Sequence, residues 1–240
     1  MDSSRLVAAV ILVVSLFQHF VSVRPLLARG DGEGEIGTGV GLSATSVPGG
    51  SRNKYAYVTL LCDDVMAEAA MVMVHSVRRT GTPHDIVILT MNVSNRTLES
   101  LVALGAKIEP ILEPVPYPFA VTADRLAINK PCRYSKLLMW NMVRYRKLIY
   151  LDSDLLVLHN IDDLFHRPQL SAAPDTLPPD KFNSGLMVVE PNRAMFKDML
   201  SKIATLVSPN VGDQGFLNSY FSSCPSSRCC TSRATPSPGT

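Results

Sequence analysis

Two aspartates one residue apart stand between two apolar runs of the sequence. Asp152 and Asp154 follow Lys147–Leu151 and precede Leu155–Leu158. A buried strand that ends in Asp-x-Asp holds both carboxylates where they can reach one ion, and hard carboxylate oxygens are typical ligands of Mg²⁺ and Mn²⁺. Such ions commonly bridge to the phosphates of a substrate, so the motif indicates a diphosphate site. The alternative is a solvated turn or a helix cap, where many Asp-x-Asp pairs occur.

Two further polar motifs suit a ligand with many hydroxyl groups. Asn183 and Ser184 open an apolar run over Phe182–Val189, and Asp213 and Gln214 begin a predicted helix. Amide, hydroxyl and carboxylate groups can all hydrogen-bond to such a ligand. The alternatives are structural: Asn183 and Ser184 would form the turn before a strand, and Asp213 would cap its helix.

Other charged residues have a simpler interpretation. Asp162–Phe165 has the pattern of a helical turn that packs Leu164 and Phe165, so its two acids are predicted to cap the turn or face solvent. A basic cluster also stands before the Asp pair, and it is either a solvated helix face or a source of one or two phosphate contacts. Its members are Lys130, Arg133, Lys136, Arg144, Arg146 and Lys147.

Alternating strands and helices must position these residues. Repeated β-α-β units predict an α/β fold with a mostly parallel, doubly wound sheet flanked by helices. Ligands of such sheets bind at the carboxyl ends of the strands, where the first strand and the Asp-pair strand both end. Apolar periodicity predicts strands at Tyr55–Leu61, Ile86–Thr90, Lys107–Ile111 and before Asp152, and helices at Met66–Val77, Asn95–Leu104 and Tyr134–Val143.

The first residues have the composition of a targeting segment. After Arg5, Leu6–Val23 is mostly apolar, which is typical of a secretory signal peptide and near the lower limit for a membrane span. A cleaved signal and an uncleaved anchor through residues 6–23 both fit. Either places the remaining chain in the secretory pathway, in the Golgi lumen if anchored or outside the cell if cleaved. The glycosylation sequons Asn92–Ser94 and Asn95–Thr97 agree with that location.

The composition limits the class of protein. A chain of 240 residues, 46% hydrophobic and 18% charged, suits one globular domain plus appendages. A net charge of +2 without a basic stripe argues against a nucleic-acid partner. Of five cysteines, Cys62 and Cys132 fall in the folded region and are expected to serve packing or to occur incidentally, while Cys224, Cys229 and Cys230 lie beyond it. None has the spacing of a zinc site.

The order of the motifs resembles glycosyltransferase family 8, above all its glycogenin branch and the plant glycogenin-like glucuronosyltransferases. The resemblance runs from about Tyr55 to Phe221. It implies a GT-A fold, a UDP-sugar donor, Mn²⁺ (with Mg²⁺ as the substitute), and transfer of a hexosyl or glucuronosyl unit, with retention, to a glycan, glycolipid or protein. The motifs are Tyr57-Val58-Thr59-Leu60, Leu151-Asp152-Ser153-Asp154, Asn160-Ile161-Asp162-Asp163-Leu164-Phe165, Phe182-Asn183-Ser184-Gly185 and Gly212-Asp213-Gln214-Gly215-Phe216-Leu217-Asn218.

The resemblance also implies roles for the residues that would hold the nucleotide. Asp152 and Asp154 match the family's two metal-binding acids, and Ser153 matches the residue whose backbone contacts the ribose. Met66 stands where glycogenin has a Tyr, so uracil stacking on that Tyr is expected to be lost or replaced. The positions that match the uracil-binding strand and loop are Leu60, Cys62 and Asp63, the last two being Thr and Asn in glycogenin.

A second group of matches concerns the phosphate and the sugar. Lys136 matches the basic position of the family's Thr-Lys-Leu segment. Asn183, Ser184, Asp213 and Gln214 match residues that hold the donor sugar. Among these, Asp213 and Gln214 are the candidates for catalysis, because carboxylate and amide oxygens stabilise an oxocarbenium-like transition state.

The largest departure from the family lies after Phe221. There the family continues with His-x-x-Gly-x-x-Lys-Pro-Trp, whose His is a metal ligand and whose Lys binds diphosphate, and this sequence has no such segment. We therefore expect the C-terminal end to be truncated, alternatively spliced or wrongly delimited. We also expect the chain to show weak or absent turnover. The predicted segments are a signal peptide or anchor at 1–28, a flexible linker at 29–53, a GT-A domain at 54–222 and a disordered tail at 223–240.

Two alternative functions stay open. One is a UDP-sugar-binding product with little or no turnover. The other is a phosphohydrolase of the haloacid-dehalogenase type, in which Asp152 would be the nucleophile. That class expects Gly-Thr or a similar pair after the second Asp, and Leu155-Leu156 stands there instead.

Overall fold

The computed structural model describes residues 54–118, 131–175, 181–206, 208 and 212–222. The predicted signal segment at 1–28, the linker at 29–53 and the tail at 223–240 lie outside these residues. In the described part of the chain, no helix has both the length and the apolar character needed to cross a bilayer.

The apolar runs of the sequence form six strands of one sheet. The strands are β1 Tyr55–Asp63, β2 Asp85–Asn92, β3 Lys107–Pro110, β4 Lys147–Leu151, β5 Ser171–Pro174 and β6 Phe182–Val189. Their order is β3-β2-β1-β4-β6-β5. β1 to β4 are parallel, as predicted. β6 runs antiparallel to both β4 and β5. The mixed sheet with its flanking helices confirms the α/β class.

The helices begin and end at residues suited to those positions. Ser94 caps α2 (Asn95–Ala103), accepting a hydrogen bond from the Thr97 amide at 3.4 Å. Gly105, with a φ of +85°, permits the left-handed turn that follows α2. The helices are α1 Ala67–Arg79, α2 Asn95–Ala103, α3 Arg193–Lys202 and α4 Asp213–Ser222, and shorter 3₁₀ turns cover Asp64–Met66 and Asp162–His166.

One predicted α-helix takes a tighter form. The segment predicted as a helix at Tyr134–Val143 lies within a run of 3₁₀ turns over Pro131–Asn141. A 3₁₀ turn aligns side chains three residues apart. Tyr134, Leu137 and Trp140 have this spacing, and all are fully buried. The apolar spacing therefore matches the 3₁₀ turn. A sequence pattern with a period near 3.6 residues does not distinguish an α-helix from such turns.

The sheet separates two hydrophobic clusters. Side chains alternate along β1, so Val58 and Leu60 face the cluster that contains Trp140, while Tyr57 and Leu61 face the cluster beneath α1. Burial on both faces explains why the central strands read as continuous apolar runs. This packing gives the strand ends, which carry the polar motifs, a fixed position.

Asp162 forms hydrogen bonds near the amino ends of β1 and β2. Its Oδ1 accepts hydrogen bonds from the Tyr57 hydroxyl at 2.6 Å and the Thr82 hydroxyl at 2.7 Å. Leu164 and Phe165 are buried, as predicted for this turn, and Asp163 is exposed. The expectation that both acids cap or face solvent is therefore wrong for Asp162, which joins β1 to the turn after β4.

Candidate active site

The carboxyl ends of β1 and β4 meet the amino end of β6 at one edge of the sheet. Because β6 is antiparallel to β4, Leu151 pairs with Leu186 and the first residues of β6 lie beside the Asp pair. The Asp152 amide donates to the Gly185 carbonyl at 2.8 Å, which extends this pairing by one step. Strand direction therefore brings together motifs that are some thirty residues apart in sequence.

A cleft of about 370 Å³ opens at this edge. It contains every predicted site residue except Asn183, and it adds Met66, Arg133, Tyr150 and Gly212. The predicted residues that line it are Leu60, Cys62, Asp63, Lys136, Asp152, Ser153, Asp154, Ser184, Asp213 and Gln214.

The Asp pair lies in the middle of the cleft. Asp152 is partly exposed, and its Oδ1 accepts a hydrogen bond from the Tyr150 hydroxyl at 2.8 Å. Asp154 is exposed at the cleft, where desolvation, followed by the negative charge of Asp152, raises the pKa of its carboxyl. A cation between the two carboxylates would remove their repulsion, so this pair has the electrostatics of a cation-binding site.

Lys136 is the buried cation of the site. Its Nζ lies 2.6 Å from Asp213 Oδ2 and 3.3 Å from Asp152 Oδ1, and 4.6 Å from the centre of the Tyr150 ring. Burial alone would lower the pKa of Lys136, but the two carboxylates outweigh it and raise that pKa. Lys136 is therefore charged at neutral pH and joins the Asp pair to the start of α4.

Asp213 and Gln214 face β6 from the first turn of α4. Burial would raise the pKa of Asp213, but Lys136 outweighs it and the pKa is lowered, so the carboxylate stays ionised. The Ser184 hydroxyl donates to Asp213 Oδ2 at 3.1 Å, and the Ser184 amide donates to Gln214 Oε1 at 3.1 Å. Gln214 Nε2 in turn donates to Asp175 Oδ2 at 2.6 Å. Asp213 is thus part of an ion pair, whereas capping was its alternative interpretation.

Asn183 is the predicted site residue that the cleft does not include. Its side chain is exposed, and its Oδ1 accepts a hydrogen bond from the Gly185 amide at 2.8 Å. A Cβ on Gly185 would lie 2.9 Å from Asn183 Oδ1 and 3.0 Å from Asp152 Oδ2. Gly185 therefore allows β6 to approach the Asp pair closely, and Asn183 shapes that turn.

A disulfide closes the end of the cleft near β1. Cys62 and Cys132 are bonded, with their Cα atoms 6.1 Å apart, so the expectation of packing or incidental occurrence is wrong. The bond joins the end of β1 to the 3₁₀ segment that carries Lys136. Asp63 Oδ1 accepts from the Val65 amide at 3.0 Å, which caps the turn after β1. The predicted uracil positions are thus held by a covalent bond and a cap.

The donor set fits a hard divalent ion. Two neighbouring carboxylates are suitable ligands for Mg²⁺ or Mn²⁺, and such ions commonly complete their coordination with water and substrate phosphate. No group of three or more His, Cys, Asp or Glu side chains suited to a metal occurs within the described ranges. The third nearby carboxylate, Asp213, is neutralised by Lys136. Asp152 and Asp154 are therefore the residues that could hold such an ion.

The sequence analysis missed Tyr150 as a residue of the cleft. On a strand, side chains two residues apart face the same side, and Tyr150 precedes Asp152 by that interval. Its pKa is raised well above its usual value by burial and by the charges of Asp152 and Asp213, so the hydroxyl remains a donor. The strand spacing alone could have placed Tyr150 beside the acid.

Known proteins match both the sequence and the fold. The chain is 39% identical over 193 residues to inositol phosphorylceramide glucuronosyltransferase 1 of Arabidopsis thaliana, a match that covers 78% of the chain and 34% of that protein. It is 34% identical over 170 residues to glycogenin-1 of Mus musculus, covering 70% of the chain and 50% of that protein. The chain thus spans about a third of the plant relative and half of the mouse one.

Solved structures agree on the architecture. Galactosyltransferase LgtC in complex with donor and acceptor sugar analogs superposes with a TM-score of 0.52 at 18% identity, covering 69% of this chain and 70% of that one. An active-site mutant of LgtC gives a TM-score of 0.55. The fold is therefore of the GT-A type. The sequence model of glycosyl transferase family 8 matches residues 57–224, and on these grounds the chain belongs to glycosyltransferase family 8.

Proposed function

We propose that this protein transfers a hexosyl or glucuronosyl unit from a UDP-sugar to a glycan, glycolipid or protein acceptor, with retention at the anomeric carbon. The observation that carries the proposal is the linked set of Asp152, Lys136 and Asp213 in a cleft at the ends of β1 and β4. Family membership supplies the reaction class, and it leaves the phosphohydrolase alternative without support.

Some residues of the cleft would bind the nucleotide, and others would bind the sugar. Asp152 and Asp154 would hold Mn²⁺, or Mg²⁺ in its place, and that ion would stabilise the negative charge of the departing diphosphate as a Lewis acid. Ser153 and the end of β1, with Leu60, Cys62 and Asp63, would hold the ribose and uracil. With these roles, the diphosphate would lie over the centre of the cleft.

Asp213 and Gln214 would face the donor sugar. Positive charge develops at the anomeric carbon as the sugar–phosphate bond breaks, and carboxylate and amide oxygens stabilise that charge. Lys136 keeps Asp213 ionised and fixed in position. Ser184, hydrogen-bonded to both Asp213 and Gln214, would set the orientation of the two side chains.

The relatives support a narrower choice of donor and acceptor. The Arabidopsis relatives bear names that state transfer of glucuronate, to inositol phosphorylceramide in one case and to xylan in others. We therefore rank UDP-glucuronate first among donors, and a glycolipid or a cell-wall glycan first among acceptors. The Cys62–Cys132 bond supports a secretory location such as the Golgi lumen, because disulfides persist in oxidising compartments.

Titration calorimetry with UDP and Mn²⁺ tests the proposal. Wild-type protein is expected to bind UDP in the presence of Mn²⁺ and to lose most of that affinity in a chelator. Asp152→Asn is expected to remove the metal-dependent part of the binding. Where transfer or hydrolysis of a UDP-sugar is measurable, the same variant is expected to keep less than about 5% of it, because the metal contributes several kcal/mol.

Asp163→Asn is the matched control, since Asp163 is an exposed acid outside the cleft. It is expected to bind UDP like the wild type. UDP binding that is indifferent to both chelator and Asp152→Asn contradicts the proposal. Binding without any turnover on UDP-glucuronate or UDP-glucose would instead favour the alternative of a UDP-sugar-binding protein.

A further inference from the structure

Arg133 is a cation of the cleft that the roles above leave unused. Its side chain lines the cleft and is exposed. Within the part of the chain that the structure describes, its guanidinium takes part in no hydrogen bond and no ion pair. An arginine with five free donors at the rim of a small polar cleft can bind an incoming anion without giving up a protein contact.

The backbone around Arg133 fixes its direction. Cys132, the preceding residue, is bonded to Cys62 at the end of β1. Arg133 and Lys136 lie three residues apart in the 3₁₀ segment Pro131–Asn141, and this spacing aligns side chains on one face. Arg133 therefore stands one turn above the buried Lys136, on the side that opens to solvent.

The charges of the cleft separate the roles of the two cations. Lys136 is neutralised by Asp213 and Asp152, with which it forms ion pairs. Arg133 lies near enough to Asp154 and Asp213 for its charge to act on both carboxylates, yet it bonds to neither. Its positive charge thus acts on the cleft and is not neutralised by an ion pair with a protein carboxylate.

We propose that Arg133 binds an anionic oxygen group of the donor, either the diphosphate or the carboxylate of a uronic acid sugar. The proposal rests on the proposed function, because it assumes that a nucleotide sugar occupies the cleft. The planar guanidinium suits both groups, since it can donate two parallel hydrogen bonds to a carboxylate or a phosphate. In either case Arg133 is a binding residue of the donor site in addition to those that the family motifs indicate.

Calorimetry on full-length Arg133→Gln with three ligands separates the two sources of the anion. UDP, UDP-glucose and UDP-glucuronate are titrated in the presence of Mn²⁺. Equal weakening of all three by about tenfold or more identifies the diphosphate. Weakening of UDP-glucuronate alone identifies the uronate carboxylate. Both outcomes support the proposal. Arg133→Lys is expected to recover only part of the affinity, because lysine keeps the positive charge but lacks the paired donors of the guanidinium.

Arg193→Gln is the control, since it removes an exposed arginine that does not line the cleft. It is expected to leave all three affinities within about twofold of the wild type. If Arg133→Gln behaves in the same way while the wild type binds UDP, the role of Arg133 is overturned and the proposed function stands. If the wild type binds none of the three ligands, the proposed function and the role of Arg133 fall together. Thermal unfolding of each variant confirms that the fold is kept.

Discussion

Lys136 illustrates how one side chain can set the charge state of a whole site. Its Nζ contacts two carboxylates from different elements, Asp152 after β4 and Asp213 at the start of α4. Removing water from three charges is costly, so the arrangement is favourable only while the cation and its partners are all present. The sequence suggested this residue only through its motif, because no local pattern reveals that a lysine in an apolar segment will be buried.

Replacing Lys136 should therefore destabilise the protein more than a surface lysine would. Lys136→Met leaves Asp213 buried without its cation, and we expect the free energy of unfolding to fall by about 3–5 kcal/mol. Adding Asp213→Asn should recover part of that loss, because the unpaired charge is then gone. Urea unfolding of the single and double variants measures both effects.

The exposed pair Lys202–Asp198 provides the comparison, with both side chains nearly half exposed. Lys202→Met is expected to change the free energy of unfolding by less than about 1 kcal/mol. If Lys136→Met lowers the free energy of unfolding as little as Lys202→Met does, the buried ion pair contributes little to stability.

At the scale of elements, the sequence predicted β1 to β4 and their direction better than it predicted what surrounds them. Continuous apolar runs separated by helical segments are sufficient to indicate parallel strands. The antiparallel entry of β6 and the Cys62–Cys132 bond depend on contacts distant in sequence. Neither leaves a local signal, so the sequence predicted the cleft as a set of motifs but not the network that joins them.

At the edge of the sheet opposite the cleft, one residue also links several elements. Asp85, at the start of β2, lies 2.6 Å from Lys54 Nζ and 2.9 Å from Lys107 Nζ, and it accepts a hydrogen bond from the Tyr145 hydroxyl at 2.9 Å. Burial would raise the pKa of Asp85, but these three partners lower it to about 2. Asp85 thus ties the amino ends of three strands to the turn before β4.

The stability due to Asp85 should depend on pH in the acid range. Its pKa is lower in the folded state than in the unfolded chain, where it is about 3.9. The carboxylate therefore stabilises the fold fully above about pH 4 and loses that effect as the pH falls toward the folded pKa near 2. We expect Asp85→Asn to cost about 1–3 kcal/mol at neutral pH and progressively less below about pH 4.

Urea unfolding of wild type and Asp85→Asn between about pH 7 and pH 2.5 tests this dependence. Glu99→Gln, which changes an exposed acid on α2, serves as the control and should follow the wild type throughout. A difference between wild type and Asp85→Asn that stays constant with pH would show that Asp85 acts through packing rather than charge.

At the scale of the whole molecule, the Cys62–Cys132 disulfide links the stability of the fold to the redox state of its surroundings. It joins residues 70 positions apart, and in the chain-entropy description a loop of this length contributes about 4 kcal/mol to stability. It also holds the segment that carries Arg133 and Lys136 against β1. A chain that folds in an oxidising compartment can therefore keep its cleft formed, which agrees with the apolar segment at residues 6–23.

A secretory route would expose the two sequons to glycosylation, and on that route we expect one of them to carry a glycan. Asn92 and Asn95 are both exposed, at the end of β2 and the start of α2. Because they are three residues apart, a glycan on one crowds the other, so single occupancy is expected. Ser94 and Thr97 bond to each other in the folded state, so addition should precede folding.

Expression in a eukaryotic secretory host, followed by removal of N-linked glycans with a glycosidase, measures the occupancy directly. The wild type should lose the mass of one glycan, and Asn92→Gln or Asn95→Gln alone should each retain a shift because the other sequon becomes available. The double variant should lose it, whereas Asn160→Gln, at an exposed asparagine outside any sequon, should not. A wild type that is unchanged by the glycosidase would argue that these residues never meet the lumenal machinery, and the secretory location would then rest on the disulfide and the apolar segment alone.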